Sequence, residues 1–187
     1  MPELILSQSW KMVKERDGIT TYSRPEPGFS VKAYKCETEF RGDIENVIYL
    51  LTDVRSFDAW DDKISELVVV EEEAGEYFKY CLVYDLSWPI KDRDLCIDAR
   101  IFTDNETGIV TIHATGAPEL IAAHPDRVRI VDYWQNWIVR PLEDGLIRLT
   151  LEGFADPAGS VPSWITNMAL TDSPVKSISE VRKRAEE

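Results

Sequence analysis

The run Trp88-Pro89-Ile90-Lys91-Asp92-Arg93-Asp94 carries the clearest chemical signal, because Leu95, Ile97, Ala99 and Ile101 follow it at alternate positions. In a strand these residues share one face, so Arg93 stands on the apolar side while Asp94, Asp98 and Arg100 stand on the other. A guanidinium buried without a partner is costly. The pattern calls either for a buried carboxylate beside Arg93 or for a cavity in which polar groups and a guest meet.

Other chemistry-bearing residues form no reactive constellation. His113 and His124 have no metal-ligand spacing and no neighbouring cysteine. His113 is expected to be a hydrogen-bonded strand residue and His124 a loop residue. No G-x-S-x-G, phosphate loop or dinucleotide fingerprint occurs, so hydrolase and nucleotide readings lack a starting residue. The acids Asp58, Asp61, Asp62 and Glu71-Glu72-Glu73 lack calcium-loop periodicity and are expected on solvated surface. Cys36, Cys81 and Cys96 sit within alternating apolar segments, and reduced buried thiols are expected. No catalytic residue, metal or cofactor is expected.

The elements that must position Arg93 are mostly strands. Leu4, Ile5, Trp10 and Val13 are spaced as on a helix ending at Asp17-Gly18. Strands are expected over Ile19 to Arg24 and Phe29 to Phe40. Asp43 caps a helix carrying Ile44, Val47, Ile48, Leu50 and Leu51. Further strands are expected over Ile64 to Glu73, Glu76 to Leu86, Asp92 to Thr103, Ile109 to Thr115, Val128 to Val139 and Leu146 to Ala155. Turn residues such as Glu143-Asp144-Gly145 argue for antiparallel neighbours, and the eight strands for one large curved sheet. A terminal helix is expected from Val161-Pro162, with Val161, Trp164, Ile165, Met168, Val175, Ile178 and Val181 on one stripe. Only the concave face of the sheet is large enough to bury that stripe.

Length and charge bound the function. The 187 residues, 44% of them hydrophobic, fit a single domain over 1–187. No basic leader or ~20-residue apolar run is present, so a cytoplasmic protein is expected. The net charge of −13, from 34 acids and 21 bases, repels phosphate backbones and excludes nucleic acid as an expected partner. Any membrane contact is then transient and largely apolar. The stretch Gly116 to Arg127 breaks the strand pattern and carries Leu120 and Ile121 at an apolar tip, as a functional lid does.

These pieces together resemble the START domain, the lipid-transfer module of the helix-grip superfamily. The resemblance rests on Trp10, on Glu15-Arg16-Asp17-Gly18-Ile19-Thr20-Thr21-Tyr22-Ser23-Arg24, on Val54 to Trp60-Asp61, on Trp88-Pro89 with Arg93-Asp94, and on Asp156-Pro157-Ala158-Gly159-Ser160-Val161-Pro162-Ser163-Trp164-Ile165 with Asn167 and Pro174. It implies an α+β helix-grip fold: a curved antiparallel β-sheet wrapped around a long C-terminal helix, with an internal hydrophobic cavity. It also implies a lipid or other hydrophobic small molecule as the partner of a monomeric, non-enzymatic carrier or sensor. In START domains a second arginine often follows the Arg-Asp pair by six residues; here that position is Ala99.

Expected lining residues are Arg93, Tyr84, Trp164, Ile165, Met168, and Trp134 with Asn136 from their strand. The opposite parity, Tyr133, Gln135 and Trp137, is open on the sequence alone, and so is a purely structural role for Arg93. The alternative function is an aromatase- or cyclase-like enzyme acting on a hydrophobic polyketide in the same cavity.

Overall fold

The computed structural model describes residues 9–59, 61–86, 89–159, 161, 166 and 172–187. Lys11–Arg16 (β1) and Ile19–Pro25 (β2) form a hairpin turned by Asp17 and Gly18, with φ of 54° and 71°. Of the helix expected from residue 4 onward, residues 11–16 are a strand and residues 4–8 lie outside the described residues. Asp-Gly with both residues at positive φ matches the right-handed twist of a hairpin, and Met12 and Val13 stay exposed with no helical face to bury.

The chain continues through Lys32–Arg41 (β3) to Ile44–Thr52 (α1), whose first turn is capped by Asp43 Oδ1 accepting from the Glu45 amide at 2.8 Å. After a 3-10 turn at Val54–Ala59 come Ile64–Glu73 (β4), Tyr77–Tyr84 (β5), Arg93–Thr103 (β6) and Val110–Gly116 (β7). Val128–Ile130 (β8), Tyr133–Pro141 (β9), Leu146–Ala155 (β10) and Ser173–Glu186 (α2) complete it.

The ten strands make one sheet in the order β1-β2-β3-β10-β9-β7-β6-β5-β4, curved about α2, with β8 joined to β6. All pairs are antiparallel except β6 with β8. The single strand expected over 128–139 is thus two, since residues 128–130 pair with the start of β6 and 133–141 cross to β7 and β10. Gly116 permits the crossing, because a methyl group there would collide with the Val131 carbonyl. At the far edge, β4 is interrupted by irregularities at Ile64/Glu66 and Val69/Glu71 and ends in exposed Glu71, Glu72 and Glu73.

Alternation decides the two faces. Cys36 and Phe40 of β3, Leu95 and Ile97 of β6, Ile112 of β7, Val139 of β9 and Leu149 and Leu151 of β10 form one concave core. Ile178 and Val181 of α2 are fully buried against it, and α2 packs on β3, β10 and α1. A satellite cluster of Val31, Ala33 and Phe154, joined by Trp10 and Trp134, lies on the opposite face.

The expectation of three reduced thiols is corrected. Cys81 and Cys96 are directly paired across β5 and β6, with Cα atoms 4.0 Å apart, and form a disulfide. Cys36 alone is free, and burial pushes its thiol up to about 11.

Candidate functional site

Arg93 is 6% exposed at the head of β6, on the concave face as its parity requires. Among the described residues no carboxylate forms an ion pair with it, although the charge of Asp92 favours its protonated form. Its Nε donates to the Pro157 carbonyl at 3.1 Å, Nη1 to Lys91 at 2.5 Å and Nη2 to Ala158 at 3.4 Å. The turn after β10 is shaped to present these oxygens: Asp156 Oδ1 accepts from the Ala158 amide at 3.0 Å, and Ala158 and Gly159 have φ of 56° and 67°. Burial pulls the guanidinium below its ordinary value. Arg93 thus pins the connection toward α2 and lines a cavity. Its neighbour Asp94 points to the other face, where Arg129 holds it through Nε at 2.8 Å and Nη2 at 2.5 Å.

The cavity between sheet and helix consists of two chambers of about 140 and 90 Å³ that share Tyr84, Tyr133, Gln135 and Ser177. The first reaches the end of the sheet marked by Arg93, Leu86 and Pro157, beside Pro174 at the start of α2. The second lies deeper against Phe57, Leu82, Ile97 and Trp137. Among the described residues, no group of three or more His, Cys, Asp or Glu is placed to hold a metal.

Four tyrosines from three strands converge here: Tyr34 of β3, Tyr80 and Tyr84 of β5, and Tyr133 of β9. Burial raises every one of these phenols, and their mutual electrostatic repulsion adds to it at Tyr80, Tyr84 and Tyr133. Asp61 raises Tyr84 further. Tyr34 Oη accepts from Gln135 Nε2 at 3.1 Å. Gly153 of β10 makes room for Tyr34, since an added Cβ would lie 2.6 Å from its Oη and 2.9 Å from the Trp134 carbonyl.

Of the expected lining residues, Arg93 and Tyr84 face the cavity. Trp134 and Asn136 do not, which corrects the parity expected for β9. The Arg24 guanidinium lies 5.6 Å from the Trp134 ring centroid, while Asn136 donates through Nδ2 to Glu152 and accepts at Oδ1 from His113 Nδ1, 2.6 Å away. The inner set is Tyr133, Gln135 and Trp137, because Leu149 and Leu151 pair with Val139 and Trp137 and paired residues share a face. Trp164, Ile165 and Met168 lie outside the described residues.

Leu120 and Ile121, the expected lid residues, line neither chamber. Their segment is tied to the convex side: Arg129, paired with Asp94, also donates to the carbonyls of Pro118 at 2.5 Å and Ile121 at 3.1 Å. Pattern reading overlooked Tyr34, Tyr80 and Ser177 and left Tyr133 and Gln135 open; all five carry a signal only once strand register is known.

No family model matches the chain. It is 27% identical over 182 residues to an uncharacterized protein of Pseudomonas aeruginosa, covering 97% of this chain and 89% of that one. Its structure is similar to a STAR-related lipid transfer protein from Xanthomonas axonopodis, with TM-score 0.84 and 22% identity over 95% of this chain and 99% of the other. Human StAR-related lipid transfer protein 5 superposes with TM-score 0.81 and 18% identity, over 95% of this chain and 86% of that one. A looser likeness, TM-score 0.54 and 14% identity over 82% of this chain and 93% of the other, is to the Zhui aromatase/cyclase of Streptomyces. Strand order, a terminal helix across the concave face and these superpositions agree: the chain has the START-like helix-grip fold.

Proposed function

We propose that the protein encloses a lipid or other hydrophobic small molecule between the sheet and α2 and acts as a carrier or sensor, not an enzyme. The observation that carries this reading is the pair of adjoining chambers, walled by Leu95, Leu151 and Trp137 with Arg93 among the lining of the first. Apolar walls with a few placed polar groups are how such guests are held, and burial of guest surface contributes about 25 cal/mol per Å² before the costs of association. Arg93 selects a polar group of the guest in the first chamber. The names of the lipid transfer proteins that share the fold support the same reading.

The test is native mass spectrometry of the purified protein followed by solvent extraction. A stoichiometric apolar species is expected, and a protein that neither copurifies with nor takes up any apolar compound refutes the proposal.

The likeness to an aromatase/cyclase keeps an enzymatic second reading in view. Against it, the titratable groups lining the chambers, among the described residues, are tyrosines held neutral, Arg93 and Asp61, and Asp61 is engaged by Lys176 at 3.4 Å. Turnover of an aromatic polyketide decides for the enzyme.

A monomer residing in the cytoplasm and meeting membranes transiently, through exposed apolar groups such as Ile121 and Val131, belongs to the same proposal. No helix among the described residues is long and apolar enough to cross a membrane. The cysteine pair tests the compartment. Alkylation at harvest labels Cys81 and Cys96 if the protein resides in a reducing cytoplasm, and an intact bond overturns that placement.

A further inference from the structure

The hydroxyls of the cavity tyrosines are unevenly satisfied. Tyr34 accepts a hydrogen bond from Gln135, which leaves its own proton free to be donated into the first chamber. Tyr80, Tyr84 and Tyr133 have no hydrogen-bond partner among the described residues, although all three line the cavity. None of the three oxygens is among the sealed, unpaired buried atoms; lining the cavity without a described partner, each is available to bond a guest.

Their surroundings are flat and aromatic. Tyr80 meets Phe57 edge-on at 5.8 Å and stacks with Phe78 at 5.9 Å, and Trp137 joins Phe57 along the second chamber. Neither chamber reaches the roughly 300–1,000 Å³ of pockets that take drug-sized ligands, and long acyl tails would have to force them wide open.

We infer that the guest is a compact, planar, multi-ring compound bearing several carbonyl or hydroxyl oxygens, held by hydrogen bonds from Tyr34, Tyr84 and Tyr133 and by stacking against the aromatic wall. This rests on the proposed function and narrows it: the ring of phenols reads oxygen atoms distributed around a rigid body, where an acyl lipid presents polar atoms at one end only. Each phenol stays neutral at physiological pH, so each offers a proton without introducing buried charge.

The test uses the intact protein with three probes: emodin, a hydroxylated anthraquinone; pyrene, a flat hydrocarbon without oxygen; and dioleoyl phosphatidylcholine supplied in vesicles. Emodin is expected to bind more tightly than pyrene, and Tyr84→Phe and Tyr133→Phe each to weaken emodin roughly three- to tenfold while leaving pyrene unchanged. Both substitutions keep the ring and remove only an oxygen that no described protein group holds, and circular dichroism confirms that each variant folds. If pyrene or phosphatidylcholine is taken up while emodin is refused, or if emodin binding ignores both substitutions, the inference fails and the carrier proposal stands. If no probe enters and nothing copurifies, both fall together.

Discussion

Arg93 and Tyr84 show how a single position is legible when its strand is. The alternation from Arg93 to Ile101 placed the guanidinium on the inner face, but its partners, the carbonyls of Pro157 and Ala158, belong to a turn far along the chain that composition does not reveal. Arg93→Leu would strip donors from those carbonyls, and stability is expected to drop by about 2–3 kcal/mol in urea denaturation. Tyr133→Phe should behave oppositely: the lost hydroxyl has no partner among the described residues, so the melting temperature is expected to hold or rise. The tyrosine ring itself could not be read locally, because Tyr34, Tyr84 and Tyr133 meet only through the strand order β3-β10-β9 and the curvature that brings β5 opposite.

At the scale of elements, the sequence located most strands and turns but not every pairing. The inner parity of β9 was recoverable from the short turn at residues 142–145, which sets Val139 opposite Leu149; without that register the two aromatic sets look alike. Cys81 and Cys96 likewise stand at equal distances from the loop between β5 and β6, and become neighbours once those strands are paired. Reducing this bond, which spans 15 residues, is expected to lower stability by about 3 kcal/mol, measured by denaturation with and without reductant.

The terminal helix α2 has its own electrostatic tether. Lys176 Nζ lies 2.6 Å from Asp62 Oδ1, which holds the Asp62 carboxyl below and the Lys176 ammonium above their usual ranges. With the folded carboxyl pKa depressed, the tether is complete above the ordinary carboxylate range and is lost as pH falls through the depressed value. The raised ammonium makes it complete below the ordinary lysine range and lost only as pH rises past the folded one. Protection factors along α2, taken relative to the intrinsic exchange rate at each pH, are therefore expected to fall below about pH 4 and under high salt, and to be largest near neutrality.

For the whole molecule, the fold was legible because hairpin turns and a final amphipathic stripe admit few arrangements, whereas the internal volume was not, since it depends on how closely ten strands bend around one helix. Ser177 faces both chambers from α2, so Ser177→Trp is expected to fill the space, abolish uptake of any guest and leave circular dichroism unchanged. Uptake undiminished by this bulk would mean that guests bind elsewhere.

An open sheet also has borders. The outermost strand β4 leaves a row of amides and carbonyls unclaimed, and its two bulges and closing glutamates discourage another molecule from extending the ladder there. Below the carboxylate range that deterrent is discharged, and Val68 and Val70 are left as adhesive, so acidification is expected to yield fibrous or amorphous precipitate.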